Sequence, residues 1–166
     1  MSVATTTGFA STDYSQWPIF APVLMLFLCG FTTCAGSTGG GIKMVRAVIL
    51  VKQARREMTR ILHPRAVSPV ILGGQSVDNK VIFAVLAFML VYGASITGLT
   101  FVLLLAGLDV ISAFSAIVAC INNTGPGLNL VGPATTYGNL NDFEIWVCTF
   151  AMLIGRLELF SGLVLF

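Results

Sequence analysis

The sequence predicts an all-α integral membrane protein in which long apolar helices flank a short re-entrant helix and one helix is broken within the membrane. Three observations carry that expectation. Of 166 residues, 56% are apolar and only 10% are charged, and the mean hydropathy is +0.91. A soluble domain carries about 25% charged residues, so this chain lacks the polar groups to cover a water-facing surface. Seven of its nine Lys and Arg residues lie between Lys43 and Arg65, so its charge is concentrated rather than spread. Gly-rich polar segments interrupt the apolar runs at Gly36–Gly41 and Asn122–Gly127. The same arithmetic excludes intrinsic disorder and, at a net charge of +2, a nucleic-acid-binding domain.

The elements follow in order. Met1 to Tyr14 has neither a basic nor an apolar region of the signal-peptide kind. Pro18 to Ala35 is an uncharged apolar run at the lower limit for a membrane helix. It stops at Gly36-Ser37-Thr38-Gly39-Gly40-Gly41, which holds a regular helix only at a cost of up to about 1 kcal/mol per glycine. Ile42 to Leu62 is amphipathic and carries Lys52, Arg55, Arg56 and Arg60; His63-Pro64 ends it, because proline cannot continue a helix. Ala66 to Asn79, with Pro69 and Gly73-Gly74, reads as a loop. Lys80 to Leu108 is the longest apolar run and the strongest membrane helix. Asp109 reads as the N-cap of a helix over Val110 to Ile121, which is too short to span a bilayer. That helix delivers Asn122-Asn123-Thr124-Gly125-Pro126-Gly127, the pattern of a re-entrant loop. Leu128 to Asp142 is a polar loop, and Phe143 to Phe166 a final apolar helix interrupted by Arg156 and Glu158.

Lys43 to Arg65 holds seven basic residues against Glu57 alone, whereas Leu128 to Asp142 holds none. The positive-inside rule makes the basic segment cytoplasmic and turns the Gly-rich segments at Thr7 and Thr124 outward. Cys29, Cys34, Cys120 and Cys148 are scattered through apolar stretches, a spacing that suits small buried thiols rather than a disulfide framework or a zinc site.

The two halves echo one another. Thr5-Thr6-Thr7-Gly8-Phe9 and Asn122-Asn123-Thr124-Gly125-Pro126 both read polar-polar-Thr-Gly, and each leads through a polar loop to an acid and a tryptophan (Asp13 and Trp17; Glu144 and Trp146) before a membrane helix. Irregular backbone at membrane depth is tolerated only where protein shields it or a wet cavity adjoins it. Such a stretch can turn carbonyl oxygens toward one axis, and rings of carbonyls replace the hydration shell of potassium in ion filters. Neither segment holds a carboxylate, which argues against a divalent cation. Gly41-Ile42-Lys43-Met44 fails the phosphate-loop pattern, which needs Lys directly after Gly and then Ser or Thr. Arg156 lies about 20 Å into its helix at 1.5 Å per residue. A charge at that depth costs on the order of 2.5–3.5 kcal/mol and by default faces a protein interior. Glu158, two positions on, is nearly opposite Arg156 on the helix and cannot pair with it there.

These motifs carry a specific resemblance. With Asp13-Tyr14, Trp17-Pro18, Ala35 to Lys43, His63-Pro64-Arg65, Asn122 to Leu128 and Gly155 to Glu158 in this order, the chain resembles the TrkH-type potassium uptake subunits, a superfamily that includes the KtrB and fungal Trk proteins. The resemblance implies helix–pore-loop–helix repeats, four of them around one pore. It makes Thr5, Thr6, Thr7 and Gly8 the third filter segment and Asn122, Asn123, Thr124 and Gly125 the fourth, with potassium at Thr6, Thr7, Asn123 and Thr124. It makes Gly36, Ser37, Thr38, Gly39, Gly40 and Gly41 an intramembrane gate loop with Arg156 beside it.

On that reading, residues 1–65 are the rear half of one pore repeat, 66–79 a cytoplasmic loop, and 80–166 a complete repeat cut at its C-terminal end. Two filter segments cannot enclose an ion, so the chain reads as part of a longer subunit. The resemblance further implies a multi-pass protein of a bacterial inner membrane and a homodimer in full-length form. It adds a cytosolic nucleotide-binding regulatory ring of the TrkA type, and no cofactor besides the transported potassium. A secondary cation transporter with its substrate site at the broken helices is the alternative. It calls for ionisable groups at the break, which Gly36–Gly41 lacks. An enzyme would need a His, Asp or Glu cluster in the apolar segments, and there is none.

Overall fold

The computed structural model describes residues 2–3, 5–10, 12–14, 17–18, 20–31, 41–63 and 69–156. Five helices dominate: α1 (Phe20–Phe31), α2 (Met44–Leu62), α3 (Asn79–Leu105), α4 (Val110–Ile121) and α5 (Asp142–Arg156). A two-stranded antiparallel hairpin, β1 (Ile71–Leu72) and β2 (Gln75–Ser76), joins α2 to α3. The stretch expected to be a plain loop therefore contains a hairpin. Gly73 and Gly74 both take positive φ (+58° and +86°), the turn that two-residue hairpins favour.

Among the described residues α3 is the one helix both long and apolar enough to cross a membrane. Its 27 residues measure about 40 Å. Only 22% of its most apolar window is buried within the chain, and Phe83, Leu90 and Phe101 point outward. An apolar helix with an apolar outer face is suited to lipid or to packing against further protein. It ends at Leu105, before the expected Leu108, for a local reason. Gly107 sits at φ +102°, the Leu108 amide donates to the Leu103 carbonyl (3.3 Å) and the Gly107 amide to that of Leu104 (3.1 Å). That is a Schellman closure, and it folds Leu108 back onto the core beside buried Leu103.

The core is built around the short apolar helix α4. In α4, Ala113, Ala116, Ile117, Cys120 and Ile121 are fully buried against α1, α3 and α5. Asp109 has the extended backbone of an N-cap, and its carbonyl accepts the Ala113 amide (2.8 Å). Its carboxylate does not cap the helix but accepts from Asn129 Nδ2 (3.5 Å). At the start of α5, buried Glu144 reaches back to the Asn141 amide (2.9 Å), half of a capping box. A second cluster, Ile49, Val70, Ile82 and Val85, seats α2 and the hairpin against α3. Lys52 Nζ donates to the Ile71 carbonyl (2.6 Å) and the Arg46 guanidinium lies 4.1 Å from the Phe88 ring centre.

Candidate functional site

The two Gly-rich segments share one backbone structure. At the end of α4 the Thr124 amide donates to the Ala119 carbonyl (2.9 Å) and the Asn123 amide to that of Cys120 (3.0 Å). In the first segment the Thr7 amide donates to the Ser2 carbonyl (2.9 Å) and the Thr6 amide to that of Val3 (3.2 Å). Both are the helix-closing pattern seen after α3, with Asn123 (φ +54°) and Thr6 (φ +53°) in the left-handed position. Asn tolerates that conformation, but for a β-branched Thr it costs on the order of 1–2 kcal/mol, a strain that marks functional positions. Two residues further on, Gly125 (φ +99°) and Gly8 (φ +83°) are positive again, so the sign of φ alternates through Thr6–Gly8 and through Asn122–Gly125.

That alternation matters for chemistry. In a strand of uniform conformation successive carbonyls point to opposite sides; when left- and right-handed residues alternate, they turn to the same side. Among the described residues no donor reaches the carbonyl oxygens of Thr6, Thr7, Asn122, Asn123 or Thr124. The segments also touch. A Cβ on Gly8 would run into the Thr124 carbonyl oxygen and lie 3.4 Å from Pro126 Cδ.

Side chains from several neighbouring elements hold segment 122–127, and tyrosines dominate the set. The chain has three, and all three donate into residues 122–127. Tyr14 Oη bonds the Gly127 carbonyl (2.9 Å), Tyr137 Oη that of Gly125 (2.7 Å), and Tyr92 Oη the Asn122 Oδ1 (2.9 Å). Burial, then the Asp13 carboxylate, pushes the Tyr14 phenol above its ordinary range; burial, then Cys120, does the same for Tyr137. Both therefore remain neutral donors. Asn122, fully buried, also donates from Nδ2 to Cys29 Sγ (3.4 Å). Ser115 Oγ accepts the Leu128 amide (3.0 Å) and fixes the exit of the segment.

Sequence reasoning missed this scaffold. The available signal was that a buried phenol needs a partner, in a chain with twelve Phe and three Tyr.

Of the expected gate residues, Gly41 and Arg156 are described, whereas Gly36, Ser37, Thr38, Gly39 and Gly40 lie outside the described residues, as does Glu158. Gly41 (φ +88°) lies against the fourth segment: a Cβ there would sit 2.6 Å from Asn122 Oδ1 and 3.0 Å from the Gly30 carbonyl oxygen. Arg156 is exposed at the end of α5. It adjoins Gly155, whose Cα is pressed to the Ile121 backbone, with room for no side chain. One turn earlier, the Met152 carbonyl accepts from Asn123 Nδ2 (3.4 Å). The structure thus brings segment 5–8, segment 122–125, Gly41 and the end of α5 together.

Comparison with known proteins places the chain in a family. The family model described as "TrkH: Cation transport protein" matches residues 1–166. The chain is 44% identical to the Trk system potassium uptake protein TrkH of Vibrio parahaemolyticus over 165 residues, 99% of this chain and 34% of that protein. It is 40% identical to TrkH of Salmonella typhimurium, over 100% of this chain and 34% of that protein. Its fold is similar to the crystal structure of the potassium transporter TrkH from Vibrio parahaemolyticus at a TM-score of 0.89 and 43% identity, covering 98% of this chain and 34% of that one. The chain spans about a third of the length of the curated relatives it matches. It belongs to the TrkH family of cation transport proteins.

Proposed function

We propose that this chain supplies two of the four filter segments of a potassium uptake subunit, as part of a longer polypeptide of helix–pore-loop–helix repeats. The observation that carries the reading is the shared backbone of the two segments, with alternating φ and with carbonyls at Thr6, Thr7, Asn122, Asn123 and Thr124 that accept no hydrogen bond from the described residues. Carbonyls of Thr5–Gly8 and Asn122–Gly125 replace water around the ion, with potassium at Thr6, Thr7, Asn123 and Thr124. No carboxylate contributes, which suits a monovalent ion that must enter and leave readily. The remaining repeats complete the ring. An apolar cleft of about 390 Å³ beside the first segment, lined by Phe9, Trp17, Phe20 and Leu24 among others, gives them a surface to pack on.

The Gly36–Gly41 loop and Arg156 act as the gate beneath the filter. Support comes from the contact of Gly41 with Asn122 and from Gly155, which holds Arg156 close to the end of α4. A fixed positive charge at that point raises the barrier to a cation until it is displaced or screened. The basic α2 faces the cytoplasm, next to anionic lipid and a TrkA-like nucleotide-binding ring, and the full-length subunit forms a homodimer in a bacterial inner membrane.

The test is Gly125→Ser in the full-length subunit reconstituted in liposomes. A side chain at φ +99° strains the segment, so potassium-over-sodium discrimination should fall. Unchanged discrimination with normal assembly would refute the filter assignment.

A further inference from the structure

The side chain of Asn122 contacts more separate parts of the chain than its place in a filter segment requires. Its Oδ1 accepts Tyr92 Oη from α3 at 2.9 Å, and its Nδ2 donates to Cys29 Sγ in α1 at 3.4 Å. The Cα of Gly41 lies so near that a methyl there would be 2.6 Å from Oδ1. Cys29 and Gly41 flank one junction. The Ile42 amide donates to the Gly30 carbonyl at 2.8 Å, so the chain that leaves α1 returns to the same point before α2. The Asn122 amide sits on that junction, fully buried, with α3 behind it.

We infer that the Asn122 side chain is a positioning residue for ion selectivity, which keys the fourth filter segment to the Gly30–Ile42 junction on one side and to Tyr92 on the other. This rests on the filter reading above and adds to it. The backbone of Asn122 is the C-cap of α4 (φ −82°, ψ −3°) and leads directly into the left-handed Asn123. A turn of the Asn122 side chain is therefore transmitted to the peptide planes that follow. Its amide is fully buried with a small set of partners, and a buried amide that loses a partner bears the cost of an unmade hydrogen bond. Displacing it from either side should thus misalign the carbonyls at Asn122 and Asn123. Such misalignment acts on discrimination between ions, which depends on carbonyl geometry, ahead of the total rate.

The experiment compares rubidium and sodium uptake by the full-length subunit in liposomes for wild type, Gly41→Ala, Tyr92→Phe and Gly125→Ser, with assembly checked by gel filtration. Gly41→Ala pushes the amide from the junction side. Tyr92→Phe removes its donor from α3 and leaves the junction intact. Both should lower the rubidium-to-sodium ratio by about tenfold, the size of one buried hydrogen bond.

If Gly41→Ala alters the total rate while the ratio holds in both variants, Asn122 is not a positioning residue. The filter reading then still stands, provided Gly125→Ser has shifted the ratio. If Gly125→Ser also leaves the ratio untouched, the filter reading falls and this inference with it. Should Gly41→Ala fail to assemble, Tyr92→Phe, which only deletes an oxygen, decides by itself.

Discussion

A methyl group on Gly8 tests whether the two segments meet as the structure has them. Gly8 lies at φ +83°, and its Cα faces the Thr124 carbonyl. Gly8→Ala therefore costs twice. The left-handed conformation is worth on the order of 1–2 kcal/mol against any residue with a Cβ. The methyl also overlaps the Thr124 carbonyl oxygen, a backbone atom that cannot rotate aside, and overpacking of this kind costs about 1–3 kcal/mol. Gly125→Ala is the matched control. Its φ of +99° imposes the same conformational cost, but nothing lies within 4 Å of the added carbon.

The excess of Gly8→Ala over Gly125→Ala therefore isolates the contact between segments, about 1–3 kcal/mol. Thermal unfolding of the purified full-length subunit, followed in potassium-containing buffer, reads both variants on one scale. Gly8→Ala should unfold at a clearly lower temperature than Gly125→Ala. Equal midpoints would mean that Gly8 and Thr124 are not in contact and would refute the packing argued for the two segments.

Two further outcomes follow from the site. Tyr14 and Tyr137 have phenol pKa values raised above 10.0 by burial, so the folded state binds the phenolic protons more tightly than the unfolded chain does. Their contribution to stability is complete below about pH 10 and is lost as pH rises beyond it through the folded values. Thermal midpoints measured against pH should show this loss only above pH 10 in wild type, and a smaller one in the Tyr14→Phe, Tyr137→Phe double variant; equal alkaline losses would contradict the assignment. Arg156→Ala should raise potassium flux about fivefold or more, since a unit charge about 4 Å from a cation is worth about 1 kcal/mol even at the dielectric of water and about 4 kcal/mol near a protein surface. Rubidium uptake at or below wild-type level would remove Arg156 from the gate.

The amphipathic α2, the long α3 and the short α4 were legible in the sequence to within a few residues, and so was the likeness of Thr5–Gly8 to Asn122–Gly125. Each of these depends on neighbours in the chain. Apolar runs long or short for a bilayer, a proline that halts α2 and glycines that accept positive φ all act over one or two turns. The shifts at helix ends were local too, though finer than hydropathy resolves: Gly107 closes α3 three residues early because its φ of +102° lets two amides fold back on the last turn. The hairpin at Ile71–Ser76 escaped notice because its strands are two residues each and carry almost no pattern.

What only the tertiary structure decided is which buried groups satisfy one another. Tyr14 bonds a carbonyl 113 positions away, Asn122 reaches a thiol 93 positions away, and Gly8 is pressed to Thr124. Composition and spacing require that a buried phenol, amide or carbonyl find a partner or an ion. They do not choose among the partners, because that choice is made by how α1, α3 and α5 close around α4. The sequence by itself determined a membrane protein with two matching glycine-rich segments; the packing of those helices determined that the segments touch, that three tyrosines brace one of them, and that Asn122 ties it to the junction at Gly41.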